Sequence, residues 1–328
     1  MTKNRAWLGL FLLGLWVVGC GNPPGETGDS AKTSAQTVKT IGVSLLTQRH
    51  QFFRDLTEGL EEAAAANGFT LRVQYAEFDG PRQFNQIETF VNQKVDAIIV
   101  SPKDSEGIAP AIEAAVKAGI PVFTSDIAAK NAPVTSHIAS DNVQGGRLIG
   151  EYLANLLGGK GQVAIIDHAE ATSVQDRVRG FEEALSKYPD MKIVQKAPGG
   201  GVRDKAMRAA QDVLQANPDL TAIFGINDDS ALGAMAAVES GKMQDKIIIV
   251  GYDGTPEACE AILAERPLKA DTVQYPKEIA KKTIETVAAH FRGETVPPVV
   301  PVEVGIVDKE VLIRQAVTES GVAVEKAE

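Results

Sequence analysis

Two cysteines, two tryptophans and four histidines are all that 328 residues hold of the types that staple disulfide scaffolds, build aromatic boxes or ligate metals. Two cysteines cannot make a disulfide framework. His50, His137, His168 and His290 are too scattered for an HExxH pattern or a Cys/His zinc site. Basic charge is also short: 33 Lys+Arg face 43 Asp+Glu, a net −10. That balance argues against nucleic acid, whose phosphates need a basic footprint. Beyond the N-terminus no apolar run approaches the ~20 residues of a membrane-spanning helix. No GxSxG elbow or Ser–His–Asp set can be assembled. Gly158-Gly159-Lys160-Gly161 precedes a strand pattern and lacks the Walker Lys-Ser/Thr pair, and Gly199-Gly200-Gly201 lacks GxGxxG spacing. Nothing here demands an enzyme, a metal or a cofactor.

What is present is apolar: 44% hydrophobic with 23% charged residues, enough for two cores at about 150 residues per domain. Lys3 and Arg5 precede an apolar run from Ala6 to Val18, the pattern of a secretory signal over residues 1–19. Its ending, Val17-Val18-Gly19-Cys20, resembles the bacterial lipoprotein box, which implies cleavage before Cys20 and lipid on its thiol. The other reading is an uncleaved anchor. Both put the folded part outside the cytoplasm, attached to a membrane facing the periplasm or the exterior. Residues 21–37 are rich in Gly, Pro, Ser and Thr without apolar period, so 20–38 is expected to be a lipidated cysteine and flexible tether.

From Thr40 onward short apolar runs alternate with helical patterns, and the alternation restarts near Val143. The runs are continuously apolar, as in parallel sheets covered on both faces. The pattern predicts an α/β protein of two doubly wound parallel-sheet domains. In such sheets ligands bind beyond the carboxyl ends of the strands, and between two sheets that place is a cleft. Polar residues stand at five expected strand ends: Thr47–His50, Ser125-Asp126, Asp167-His168, Asn227-Asp228-Asp229 and Tyr252-Asp253. Asp228-Asp229 reads as a helix cap, and Cys259 as a core residue. Phe52-Phe53 opens a helix whose period needs one ring for the core, leaving the other at the cleft. A ring face beside Asp, Asn, Arg and Gln suits a sugar, whose C–H face stacks while its hydroxyls take charge-assisted hydrogen bonds.

Three segments carry a family likeness: Ser136-His137-Ile138-Ala139-Ser140-Asp141-Asn142, Asn227-Asp228 with Ala231-Leu232-Gly233-Ala234, and Val250-Gly251-Tyr252-Asp253-Gly254-Thr255-Pro256. With them, residues 40–316 resemble the ribose-type periplasmic binding proteins, the solute receptors of bacterial sugar ABC transporters. Lactose-type repressors share that core but carry a basic helix-turn-helix where this chain has a leader and tether. The resemblance implies the periplasmic binding protein-like type I fold with a three-segment hinge, crossing near Ser140-Asp141, Gln274-Tyr275 and Val304-Gly305. The lobes would then be 39–140 plus 275–304 and 141–274 plus 305–316, with 317–328 as a tail. It implies ligand contacts from His50, Phe52, Phe53, Asp126, Arg177, Asn227, Asp253 and Gln274, with His50 standing where ribose binders have Asn. Two departures bear on selectivity. Ile127 follows Asp126 where ribose binders have arginine, and Gly201 stands where they have a second-lobe phenylalanine. The expectation is a monomeric lipoprotein that captures a monosaccharide or polyol by hinge closure and hands it to a permease with a separate ATPase chain. Losing the arginine and opening space at Gly201 are expected to favour a hexose, ketose or polyol over ribose. A sensory receptor serving a membrane signalling partner is the alternative, and an extracellular enzyme on the same fold a more distant one.

Overall fold

The computed structural model describes residues 38–320, so the leader, Cys20 and the tether lie outside the described residues. The first half runs β1 (Thr40–Leu45), α1 (Gln51–Ala66), β2 (Thr70–Tyr75), α2 (Gly80–Asn92), β3 (Ala97–Val100), α3 (Ala109–Lys117), β4 (Val122–Ser125) and β5 (Ser136–Ser140). The chain then enters a second series: α4 (Asn142–Leu156), β6 (Lys160–Asp167), α5 (Thr172–Leu185), β7 (Asp190–Pro198), α6 (Arg203–Ala216), β8 (Ala222–Gly225), α7 (Asp228–Ser240), β9 (Ile248–Asp253), α8 (Pro256–Leu263) and β10 (Leu268–Val273). It ends with α9 (Pro276–Phe291), β11 (Val299–Val302), β12 (Gly305–Asp308) and α10 (Lys309–Ser320).

These strands form two six-stranded sheets, ordered β11-β5-β4-β3-β1-β2 and β12-β10-β9-β8-β6-β7. All neighbours are parallel except β12, which runs antiparallel to β10 at one edge. This is the doubly wound α/β architecture that the alternation predicts. The chain passes between the sheets three times: after β5, after β10, and between β11 and β12.

Inner strands β1, β3, β4 and β8 are buried almost throughout, while the edge strands β2 and β7 carry exposed residues along their length. Ser136–Ser140 is polar for a strand: Thr124 Oγ1 and His137 Nδ1 lie 2.9 Å apart, and Ser136 Oγ donates to the Pro297 carbonyl at 2.7 Å. Near the end of the described residues, β11 and β12 are two short strands in different sheets.

Caps fix where helices begin at the strand ends. The side chains of Asp141, Asn227 and Thr255 accept from Gln144, Ser230 and Ala258 N–H groups, opening α4, α7 and α8. Helices α4 and α5 meet through glycine. A Cβ on Gly146 would lie 2.0 Å from the Arg177 carbonyl oxygen, and one on Gly180 2.0 Å from that of Val143. Cys259 is half-buried against the second sheet's core, and burial pushes its thiol up to about 11. Among the described residues no helix is long and apolar enough to cross a membrane.

Candidate functional site

Every site residue expected from the sequence lines one cavity between the carboxyl ends of the two sheets. From the first sheet, His50 is the residue before α1, and Phe52 and Phe53 form its first turn. Both rings are buried and both face the cavity, in T-shaped contact at 5.2 Å between centroids, so the division into one core and one cleft ring does not hold. The helix start turns residues 52 and 53 to the same end of α1, where core and cleft are continuous. Asp126 follows β4 at φ 68°, a left-handed conformation that non-glycine residues adopt rarely. Its N–H stays on the ladder, donating to the Ile138 carbonyl at 2.8 Å, and Ile127 lines the cavity beside it.

From the second sheet, Arg177 projects from α5. Its Nε donates to Asn142 Oδ1 at 2.8 Å and its Nη1 to the Ile226 carbonyl at 2.8 Å, with Asp253 Oδ1 3.8 Å from Nη1. Asn227 caps α7 through Oδ1 and donates from Nδ2 to the Gly201 carbonyl at 3.2 Å. Asp253 ends β9 at φ 130°, and Gln274 Nε2 donates to its Oδ1 at 2.7 Å. Two acceptors, Asp126 Oδ1 and Gln274 Oε1, are buried without a hydrogen-bond partner among the described residues.

Electrostatics follow burial. Desolvation pushes the Asp126 carboxyl up to about 6 against the opposing pull of Arg177. Asp253 is raised well above the carboxylate range by burial, again opposed by Arg177. His50 is lowered by burial, although Asp229 Oδ2 stands 3.3 Å from its Nε2. That contact crosses the cleft, so His50 is tied to the opposite sheet's side as well as lining the cavity. Beneath the site, Asp228 accepts the Thr255 N–H at 2.7 Å, and burial raises both Asp228 and its neighbour Asp271.

The cavity is shut. Lys103 pairs with Glu170, Lys130 Nζ donates to Gln175 Oε1 at 2.8 Å, and Thr172 Oγ1 both accepts from Ala128 N–H and donates to its carbonyl, at 3.0 and 3.1 Å. The remaining space is small, about 40 Å³ for the centres of water-sized molecules. A Cβ on Gly201 would stand 3.4 Å from His168 Nδ1 and 3.6 Å from Asn227 Nδ2, in ordinary contact with both, so His168 lies directly beside the glycine. The sequence reading placed His168 and Tyr252 at strand ends but counted neither, nor Phe78 or Asn142, among the site residues; Phe78 and His168 line the cavity, and Asn142 and Tyr252 hold Arg177 from behind. For His168 the signal was its place just after a strand; for Phe78 there was none.

Residues 41–295 match the family described as periplasmic binding protein domain. The ribose import binding protein of Bacillus subtilis is 31% identical over 290 residues, covering 88% of this chain and 92% of that protein. Among solved structures, an ABC transporter periplasmic solute binding protein from Actinobacillus succinogenes with bound D-allose superimposes with TM-score 0.77 at 31% identity, over 84% of this chain and 99% of that one. A solute binding protein from Mycobacterium smegmatis with bound glycerol gives 0.79 at 32% identity, over 89% and 100%. These relatives are binding proteins, not enzymes. With the fold, the cleft and these likenesses together, the chain belongs to the ribose-type family of periplasmic sugar-binding proteins.

Proposed function

We propose that this chain is the extracytoplasmic receptor of an ABC importer, that it captures one monosaccharide or related polyol by hinge closure, and that lipid on Cys20 holds it to a bacterial membrane. Family membership supports solute binding for transport. The ligand class is supported chiefly by the two buried, unpartnered acceptors Asp126 Oδ1 and Gln274 Oε1. An unmade hydrogen bond at a buried polar atom costs about 1–3 kcal/mol, and hydroxyl donors relieve it. The same hydroxyls can accept from Arg177 and Asn227 and donate to Asp253, while Phe52 and Phe53 offer ring faces to a C–H surface. Contacts from both sheets make the ligand stabilise the closed form, and the three chain crossings would serve as the hinge.

A thermal-shift screen of the purified protein against monosaccharides and polyols tests this. A ligand at 100 times its Kd adds about 2.7 kcal/mol, a rise of several degrees. A broad panel without any shift, alongside a clear shift with amino acids or nucleosides, would remove the sugar reading. Acylation has its own test: intact-mass measurement of membrane-extracted protein shows added lipid on a chain starting at Cys20, and Cys20→Ala releases the protein or blocks processing.

A further inference from the structure

We propose that His168 is a specificity-determining residue of the cavity: its imidazole stands in the lining beside Gly201, and its Nδ1 accepts a hydrogen bond from a hydroxyl of the bound ligand. The proposal rests on the sugar or polyol reading above and adds a recognition element to it.

Three observations carry it. First, the ring lines the cavity beside Gly201, with Nδ1 3.4 Å from the point where a Cβ on Gly201 would sit. Gly201 has φ 67°, a conformation that disfavours any side chain, so the backbone keeps that point beside His168 free of one. His168 is buried and follows β6 directly, its N–H held by Asp167 Oδ1 at 2.7 Å.

Second, the two ring nitrogens face different surroundings. Nε2 stands 3.7 Å from Glu170 Oε2, and Glu170 is paired with Lys103 across the cleft. A carboxylate beside Nε2 holds the proton there and leaves Nδ1 as an acceptor. Burial lowers the ring's pKa, which keeps it neutral. Nδ1 therefore joins Asp126 Oδ1 and Gln274 Oε1 as a third acceptor for hydroxyl protons.

Third, the opposite side supplies a fixed partner. Phe78, with φ 62°, follows Glu77, with φ 53°, so two successive left-handed residues present its ring to the cavity. Glu77 anchors the turn through Thr47 Oγ1 at 3.0 Å and the Gln48 N–H at 3.1 Å. Phe78 stands 5.3 Å from the His50 ring and 6.4 Å from the His168 ring, making a row of three rings across the closed cleft. His168 and Glu170 share the loop before α5, which docks on the first sheet's loops, so the imidazole reaches its place as the cleft shuts.

The test is calorimetry of the wild type and of His168→Phe and His168→Gln with D-ribose, D-allose, xylitol and glycerol. Phe keeps a ring and loses the acceptor; Gln keeps an acceptor and loses the ring. For the tightest ligand of the panel, His168→Phe is expected to weaken binding roughly 10- to 100-fold, the range of one unmade buried hydrogen bond, and His168→Gln less. The ¹⁵N signal of His168 Nδ1 in the wild type is expected to move on ligand addition, a readout that does not depend on any variant folding. Wild-type affinity and rank order in His168→Phe, or an unmoved Nδ1 signal at saturation, overturns the proposal alone. Failure of the wild type to bind any of the four and any wider set of sugars or polyols overturns the functional reading, and this proposal with it.

Discussion

The guanidinium carbon of Arg177 stands 3.9 Å over the centroid of the Tyr252 ring. The ring is fully buried, and its hydroxyl donates to the same Asn142 Oδ1 that accepts Arg177 Nε. Arginine is thus held on a plate, with Nε and Nη1 committed to protein acceptors. A desolvated cation–π contact contributes about 2 kcal/mol.

Tyr252→Leu should therefore weaken ligand binding about tenfold or more, while Tyr252→Phe, which keeps the plate, should stay within a few-fold of wild type. Calorimetry of both variants decides it. A leucine variant with native affinity would mean that Asn142 and the Ile226 carbonyl suffice to hold Arg177.

Asp126 sets a pH dependence whose sign can be worked out. Its pKa in the folded protein, about 6, lies above the ordinary 3.8, so between those values the folded chain binds a proton that the unfolded chain lacks. Stability of the unliganded protein should fall as pH rises through that window and stay lower above it. Asp126→Asn removes the cost: its unliganded stability should exceed wild type at pH 7.5 by about 1–3 kcal/mol, with a higher melting temperature, and match it near pH 4. Ligand affinity should fall in the same variant. Equal melting of the two proteins at pH 7.5 would contradict the burial argument.

The glycine contact between α4 and α5 leaves no room for a methyl group. Gly180→Ala, whose Cβ would meet the Val143 carbonyl at 2.0 Å, must push the helices apart, at a cost of about 1–3 kcal/mol or more. Because α5 carries Arg177, binding should weaken together with the melting temperature. Denaturant titration and calorimetry on one preparation would show whether the two losses travel together.

Ligand choice is the fourth expectation. Ile127 is buried beside Asp126 and brings no cation to that side of the cavity. A hexose, ketose or polyol should bind at least about tenfold more tightly than D-ribose, since one unmatched polar atom costs about 1–3 kcal/mol. Asp253→Ala should weaken the preferred ligand about 30-fold or more. Competition calorimetry in which D-ribose wins would mean that Ile127 does not set selectivity.

Much of this was legible in the residues. Apolar runs such as Ala97–Val100 and Ala222–Gly225 announce buried parallel strands, and polar residues directly after strands mark the cleft. What escaped had physical reasons. Ser136–Ser140 hides as a strand because its polar side chains are satisfied by Thr124 on the neighbouring strand and by Pro297, far away in sequence. Phe78 reaches the cavity through two left-handed residues that no propensity announces. At Gly201 sequence shows a missing side chain but not its neighbour in space, His168.

The two sheets are finished only by the last strands of the chain. The first needs β11 against β5, and the second needs β12 against β10, both contributed after residue 298. A chain emerging N-terminus first therefore carries two open edges until nearly all of it is out, and pairings so distant in sequence form slowly. In an exported protein, that order leaves one edge of each sheet unpaired until the last strands are out. The same order makes the C-terminus a single point of failure, since loss of some thirty residues would unfinish both halves together.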